Sequence, residues 1–125
     1  MIRRRIIGIT AVFIFTLSAN LIIAPAREET GVITLTAKLT IKAEKEKEFE
    51  TLMKGIVPKV RQEEGNLAYT MCRSKDNPRV FLFFEEYADQ EAVQAHGRHL
   101  RELGVDLSSF LDGPVVAEYY DRIAG

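Results

Sequence analysis

The chain has 125 residues, which suits one small domain, and its formal net charge is only −1 at neutral pH. That balance gives no basic surface of the kind that binds nucleic acid. A single cysteine, Cys72, excludes an intrachain disulfide framework, and a lone thiol of this kind is expected to be buried and inert.

The N-terminal segment has the pattern of a secretory signal peptide. Three arginines near the start precede an apolar run over residues 6–24, and the tripeptide APA, which ends at Ala26, supplies a small-residue cleavage site. The apolar run is also close to the minimum length of a membrane span. We therefore expect cleavage after Ala26, with an uncleaved membrane anchor over residues 6–24 as the alternative.

These features divide the chain into three parts. Residues 1–26 are the predicted leader, residues 27–31 a linker and residues 32–125 the folded domain. Loss of the leader removes three arginines and changes the formal charge from −1 to −4. The mature protein is expected in the periplasm or outside the cell.

The first two elements of the domain are a strand and a helix. Residues 32–41 alternate apolar and polar side chains, which predicts a half-buried strand. Residues 43–64 change to a helical period, with an apolar stripe from Phe49 to Val60. Pro58 predicts a kink or break in this helix, and Gly65 a left-handed cap at its end.

Two strands follow, at residues 67–72 and 79–87, and the turn residues SKDNP between them indicate a hairpin. On the first of these strands, alternation groups Leu67 with Tyr69. The second strand is apolar on both faces as far as Glu85, so each face of the sheet needs a cover. One layer of helices covers only one face, and we expect a second subunit to cover the other.

The remaining elements complete a recognisable order. Asp89 is the predicted N-cap of a second helix that ends at Gly104. Residues 106–114 allow one short helix or turn, and residues 115–123 are the last strand. The β-α-β-β-α-β order predicts an α+β, ferredoxin-like domain with an antiparallel sheet and helices on one face. Pairing of two bare faces would make a homodimer that closes a dimeric α+β barrel.

Residues 63–96 resemble the core of the antibiotic biosynthesis monooxygenase family. In outline that family has Glu-x-Gly-(Cys/Asn)-Leu-x-Tyr, an Asp-x-Pro turn, Phe-x-x-x-Glu-x-(Trp/Tyr), and Ala-His on the second helix. The matching residues here are Glu63, Gly65, Asn66, Leu67, Tyr69, Asp76, Pro78, Phe81, Glu85, Tyr87, Ala95 and His96. The resemblance extends over essentially all of residues 32–123, although the specific motifs lie within 63–96.

The resemblance implies a dimeric barrel but not one reaction. The family includes quinol and anthrone oxygenases that use no cofactor, an isomerase that acts on a phosphorylated autoinducer, and haem-degrading enzymes. Many relatives carry a second histidine five residues after the first, where this chain has Arg101. The chain also has no tryptophan, which argues against the haem-degrading branch.

A candidate site follows from strand parity and from the resemblance, which implies that one face of the third strand lies beneath the helices. His96 is the candidate general base, because a histidine ordinarily titrates near pH 6.5. Glu85 is the second catalytic candidate, either orienting the imidazole or bonding a substrate hydroxyl. The candidate substrate-binding residues are Tyr69 and Tyr87, which would orient oxygens, and Phe81 and Phe83, which would stack on an aromatic ring.

The leading hypothesis is a cofactor-independent monooxygenase that uses dioxygen on a small phenolic or quinol substrate, with no metal and no cofactor. One alternative is an isomerase acting on a small carbonyl compound. Another is a non-catalytic dimeric module that binds a small ligand. Beyond the N-terminal segment, neither a membrane nor a nucleic acid is an expected partner.

Purely structural roles are open for the same residues. His96 could be a packed core histidine, and His99 is expected at the surface; together they make a poor metal site because they lack a third ligand. Glu85 could pair with Arg73 or Arg122. Phe81 and Phe83 could belong only to the core, and the parity of Cys72 places it on the face away from the helices.

Overall fold

The computed structural model describes residues 31–125, so the predicted leader and most of the linker lie outside the described residues. The elements are β1 (Ile33–Thr40), α1 (Glu46–Val60), β2 (Asn66–Arg73), β3 (Val80–Tyr87), α2 (Gln90–Glu102), a 3₁₀ turn (Leu107–Ser109) and β4 (Val116–Tyr120). This confirms the predicted order, including the short helix before the last strand. None of the helices within residues 31–125 has the length and apolar character that a membrane crossing requires.

The four strands form one sheet in the order β2-β3-β1-β4, and every neighbouring pair is antiparallel. β1 and β3 are therefore the central strands, as in the ferredoxin-like arrangement. The predicted α+β fold is confirmed. Because β3 is central and faces both helices, the side chains on its inner face line the space between the sheet and the helices.

The core lies between the sheet and the helices. The predicted stripe of α1 is confirmed, since its buried residues include Phe49, Met53 and Val60. Phe49 packs edge-on against Phe81 of β3, with ring centroids 5.0 Å apart. On this face of β3 the aromatic and acidic side chains are all buried, as parity predicts.

The opposite face of the sheet is exposed and partly apolar. It carries Leu82 and Phe84 of β3, 37% and 38% exposed, and Val116 and Tyr120 of β4, 42% and 49% exposed. Cys72 lies opposite Leu82 in the β2–β3 register, so its predicted place on this face is confirmed. Its thiol is exposed in the single chain, however, so the expectation of a buried cysteine is wrong here.

The first helix differs from its prediction at both ends and at Pro58. It is shorter than residues 43–64, and Pro58 lies inside it without a break, because the helix continues to Val60. A proline this close to the C-terminus removes one hydrogen bond and leaves little helix beyond it to disturb. The predicted break at Pro58 is wrong.

Gly65 is not a left-handed cap. Among residues 31–125 the glycines with positive φ are Gly104, Gly113 and Gly125, and the first of these follows α2 as predicted. At Gly65 a Cβ atom would lie 2.2 Å from the Cβ of Ala92. The missing side chain therefore lets the segment before β2 approach the first turn of α2.

A β-bulge near the start of β2 changes the alternation of that strand. Asn66 pairs with Tyr87 and Ala68 with Glu86, so Leu67 is an extra residue. Leu67 is 53% exposed, whereas Tyr69 is buried on the helix face. The grouping of Leu67 with Tyr69 by simple alternation is therefore wrong.

Candidate functional site

A cavity of about 180 Å³ lies between the helix face of the sheet and α2. Four of the six predicted site residues line it: Tyr69, Phe83, Glu85 and His96. The remaining lining is apolar and comes from Ala37, Leu39, Met53, Leu100, Leu107 and Val115. An apolar wall with a few convergent polar groups is the usual composition of a small-molecule site.

His96 is buried at the end of this cavity, 9% exposed. Its ring lies between the rings of Tyr69 and Tyr87, with centroid distances of 5.2 and 5.4 Å. Its Nδ1 atom lies 3.0 and 3.2 Å from the two carboxyl oxygens of Glu63. Glu63, and not Glu85 as one prediction had it, therefore orients the imidazole.

This hydrogen bond assigns the tautomer of His96. A carboxylate only accepts hydrogen bonds, so Nδ1 carries the proton and Nε2 of the neutral ring keeps its lone pair. No residue within 31–125 hydrogen-bonds Nε2 of His96. The basic nitrogen of the ring is therefore available to a molecule in the cavity.

Glu63 is the residue that sequence reasoning missed. It lies in the irregular segment between α1 and β2, and its side chain is 11% exposed. The same carboxylate also binds His99, whose Nδ1 is 2.6 Å from Oε2. His99 is thus tied to Glu63 while 30% of its side chain stays exposed, so it lies at the edge of the surface and also contacts a nearly buried carboxylate.

Glu85 lies across the cavity as a buried carboxyl group, 7% exposed. Its Oε2 accepts a hydrogen bond of 2.7 Å from the hydroxyl of Tyr87. Burial raises the pKa of Glu85, and the Tyr87 hydrogen bond and the charge of His96 oppose that effect only in part. Glu85 therefore keeps its proton to higher pH than an exposed glutamate does.

The proposed pairing of Glu85 with an arginine is wrong. Arg73 binds Glu50 at 2.6 Å, and Arg122 binds Glu86 on the other face of β3. No arginine within the described part of the chain forms an ion pair with Glu85.

The two tyrosines differ in position. Tyr69 lines the cavity, whereas Tyr87 stands behind Glu85 and holds it. Burial, reinforced by the nearby charge of Glu85, raises the pKa of both hydroxyl groups. Both therefore stay protonated near neutral pH, and the Tyr87 hydroxyl donates its hydrogen bond to Glu85.

The two predicted stacking residues, Phe81 and Phe83, also differ in position. Phe83 lines the cavity and packs against Tyr69, with ring centroids 5.4 Å apart. Phe81 does not line it, because its ring packs into the core against Phe49. Of the two predicted stacking residues, the structure places only Phe83 where a ligand could meet it.

Within residues 31–125 no group of three or more histidine, cysteine, aspartate or glutamate side chains has the arrangement of a metal site. The polar side chains of the cavity can carry out acid–base chemistry. His96 presents an unprotonated nitrogen and Glu85 a carboxyl group whose pKa burial raises, in one small apolar space. Such a pair can remove a proton from a bound molecule and donate a hydrogen bond to it.

The family model described as antibiotic biosynthesis monooxygenase matches residues 32–100. The chain belongs to the antibiotic biosynthesis monooxygenase family. The matched residues include β1, both halves of the β2–β3 hairpin and most of α2, so they carry Glu63, Glu85 and His96.

Similar proteins agree with this assignment. The Bacillus subtilis protein named "Putative monooxygenase YcnE" is 31% identical over 65 residues, which are 52% of this chain and 68% of that protein. The crystal structure of a Caulobacter crescentus "putative antibiotic biosynthesis monooxygenase" is 31% identical, with a TM-score of 0.67 over 76% of this chain and 92% of that chain. PA3566 from Pseudomonas aeruginosa shares the fold at 22% identity, with a TM-score of 0.67 over 75% of this chain and 96% of its own.

Proposed function

We propose that this protein is a cofactor-independent monooxygenase that uses dioxygen to oxidise a small, single-ring phenol or quinol. The observation that carries the proposal is the unprotonated Nε2 of a buried, carboxylate-oriented histidine at the wall of an apolar cavity. The cavity volume of about 180 Å³ limits the ligand, since an apolar cavity of about 150 Å³ is enough for benzene. One substituted ring fits this space.

The reaction needs only a base, a dry site and the substrate itself. His96 Nε2 takes the phenolic proton, and the electron-rich phenolate reduces dioxygen. A new C–O bond forms at a ring carbon that bears hydrogen, and the peroxide takes up the proton held by His96. Loss of water from that hydroperoxide breaks its O–O bond and the C–H bond at the same carbon and leaves a carbonyl group on the ring. The substrate therefore supplies all four electrons that reduce dioxygen, one oxygen atom enters the product and the other leaves as water.

Glu85 and Phe83 would hold the substrate during these steps. A neutral Glu85 carboxyl can donate a hydrogen bond to the second oxygen of a quinol or of the quinone product. Phe83 offers a ring face on which an aromatic substrate can stack. The apolar lining keeps water away from the phenolate and strengthens both polar contacts.

The test is oxygen consumption by the purified, metal-stripped full chain with a panel of single-ring quinols and phenols. We expect uptake well above autoxidation, and a loss of about 100-fold or more in His96→Asn, the range for removal of a general base. Arg98→Gln, on the same helix, is the matched control and should keep the wild-type rate. No uptake with any substrate, or equal uptake by a folded His96→Asn variant, would refute the proposal.

One observation favours a second candidate, an isomerase acting on a small carbonyl compound. A neutral acid and a neutral base on one cavity can remove a proton next to a carbonyl while the acid supports the enolate oxygen. Conversion of a small hydroxyketone without oxygen would favour this reaction over the first. Stabilisation of the protein by such compounds without turnover would indicate a binding module instead.

We also propose that the protein is a homodimer through the bare face of the sheet. Exposed apolar side chains on β3 and β4 support this, because contiguous patches of this kind usually mark an interface. Two such faces packed together would form the dimeric barrel that the family resemblance implies. Light scattering of the purified chain gives the mass directly, and a monomer at micromolar concentration would contradict the proposal.

A further inference from the structure

The carboxylate of Glu63 links two cavities, because it lines one of them and hydrogen-bonds His96 in the wall of the other. The inner one is the candidate active site, with His96 in its wall. The other, which we call the outer cleft, has a volume of about 740 Å³ and is lined by Glu63 and His99 among others. The side chains of His96, Glu63 and His99 therefore form a continuous hydrogen-bonded row from the buried site to the outer cleft.

We propose that Glu63 and His99 are positioning residues that let this row hold one proton charge, so that His99 releases a proton to the outer cleft when His96 takes one from the substrate. This inference rests on the proposed role of His96 as a base. Its test needs no substrate, so it can fail or succeed independently of the oxygen-uptake experiment.

The geometry provides one negative charge for two histidines. Both Nδ1 atoms bind the same carboxylate, and through Oε2 the two distances are 3.2 and 2.6 Å. The two Nδ1 atoms are therefore at most about 6 Å apart, a range at which two positive charges repel strongly outside bulk water. Glu63 can offset one imidazolium, and a second one adjacent to the first is unfavourable.

Exposure decides which histidine holds the proton at rest. His96 has 11% of its side chain exposed and His99 has 30%. Charge is less costly at the more exposed position, so we expect the resting row to contain neutral His96, anionic Glu63 and protonated His99. This arrangement keeps the base of the inner cavity ready to accept a proton.

Other ionisable groups around the two histidines do not change this order. Around His96 they are Tyr69, Glu85 and Tyr87, and burial raises the pKa of all three, which disfavours a further anion beside His96. The outer cleft beside His99 carries two cations, Lys59 and Arg98, and two further anions, Glu64 and Glu102, so their charges sum to zero. The order in which the two histidines take up protons therefore depends chiefly on their own exposure and on the carboxylate that they share.

The proton balance is simple. The substrate O–H bond breaks and its proton binds Nε2 of His96, while the Nε2 proton of His99 passes to water in the outer cleft. The total charge of the row stays constant, although no proton crosses Glu63. When the peroxide takes the proton back from His96, His99 regains one from solvent.

The experiment is a pH titration of the full chain labelled with ¹⁵N-histidine, read by long-range ¹H–¹⁵N correlation spectra. In the wild type we expect proton uptake in two steps at least about one pH unit apart, His99 first and His96 second. In His99→Gln the uptake curve of His96 should move about one pH unit higher. Arg98→Gln, which changes a cation of the same cleft, is the matched control and should preserve the order and spacing.

Two results would overturn the inference: His96 taking up its proton before His99, or a His96 curve in His99→Gln that overlies that of the wild type. Glu63→Gln provides a second variant, in which both curves should move to lower pH because the shared anion is gone. The order of uptake in the wild-type spectra decides the matter even if a variant does not fold.

Discussion

Replacement of Gly65 by alanine should destabilise this protein although the new side chain is a single methyl group. The added Cβ would lie 2.2 Å from Ala92 Cβ and 3.3 Å from its Cα. Ordinary carbon contacts are about 3.5–4.0 Å, so the segment before β2 or the first turn of α2 must move by more than about 1 Å. Overpacking of this degree costs about 1–3 kcal/mol.

Urea unfolding measures the effect, and Gly55 provides a matched control. Gly55 lies inside α1 with nothing within 4 Å of its built Cβ, so Gly55→Ala should stabilise the fold by about 0.5–1 kcal/mol. The same substitution is thus expected to have opposite signs at two glycines. Ala92→Gly removes the closest contact, so the double variant should recover at least about 1 kcal/mol relative to the sum of the single changes. Strictly additive effects would refute the close-approach explanation.

Three further predictions concern the site and its surroundings. Burial raises the pKa of Glu85 above the 4.5 of an exposed glutamate, so stability should fall as pH rises through the raised value; Glu85→Gln should remove that fall in a pH series of thermal melts. Phe84→Asp, on the bare face, should convert the dimer to a monomer in light scattering. Tyr119→Asp should not, because Tyr119 is exposed too but lies on the other face of β4. Asp89→Ala removes the side chain that accepts from Ala92 N–H at 2.8 Å, and urea unfolding should show a loss of about 1 kcal/mol that Asp89→Ser largely restores.

Periodicity in the sequence was sufficient to predict the fold and those site residues that lie on regular strands and helices. Alternation in β3 placed Phe83 and Glu85 on the buried face, and helical spacing in α2 placed His96 above them. These predictions worked because each depends on which side of a regular element a residue faces. The aspartate cap of α2 was likewise readable from its local sequence.

The residues that were misjudged depend on distant contacts or on irregular backbone. Glu63 has no periodicity to interpret, and its partners lie 33 and 36 residues further along the chain. Two signals were available. Glu63 stands in the family motif Glu-x-Gly but received no role there, and Gly65 was interpreted as a cap because a glycine after a helix usually is one. Its true role, the approach of α2, is visible only once Ala92 is placed beside it.

The bulge at Leu67 also determines how this strand can change in length. Asn66 fastens it through hydrogen bonds from its amide to the carbonyls of Ala68 and Glu86, at 3.0 and 3.4 Å. Deletion of Leu67 would remove only the extra residue and leave Tyr69 facing the cavity. Deletion of Thr70 would instead exchange the faces of the residues on one side of the gap. Gain or loss of one residue is therefore tolerable at the bulge in β2. Elsewhere in the strand it would change which side chains line the candidate site.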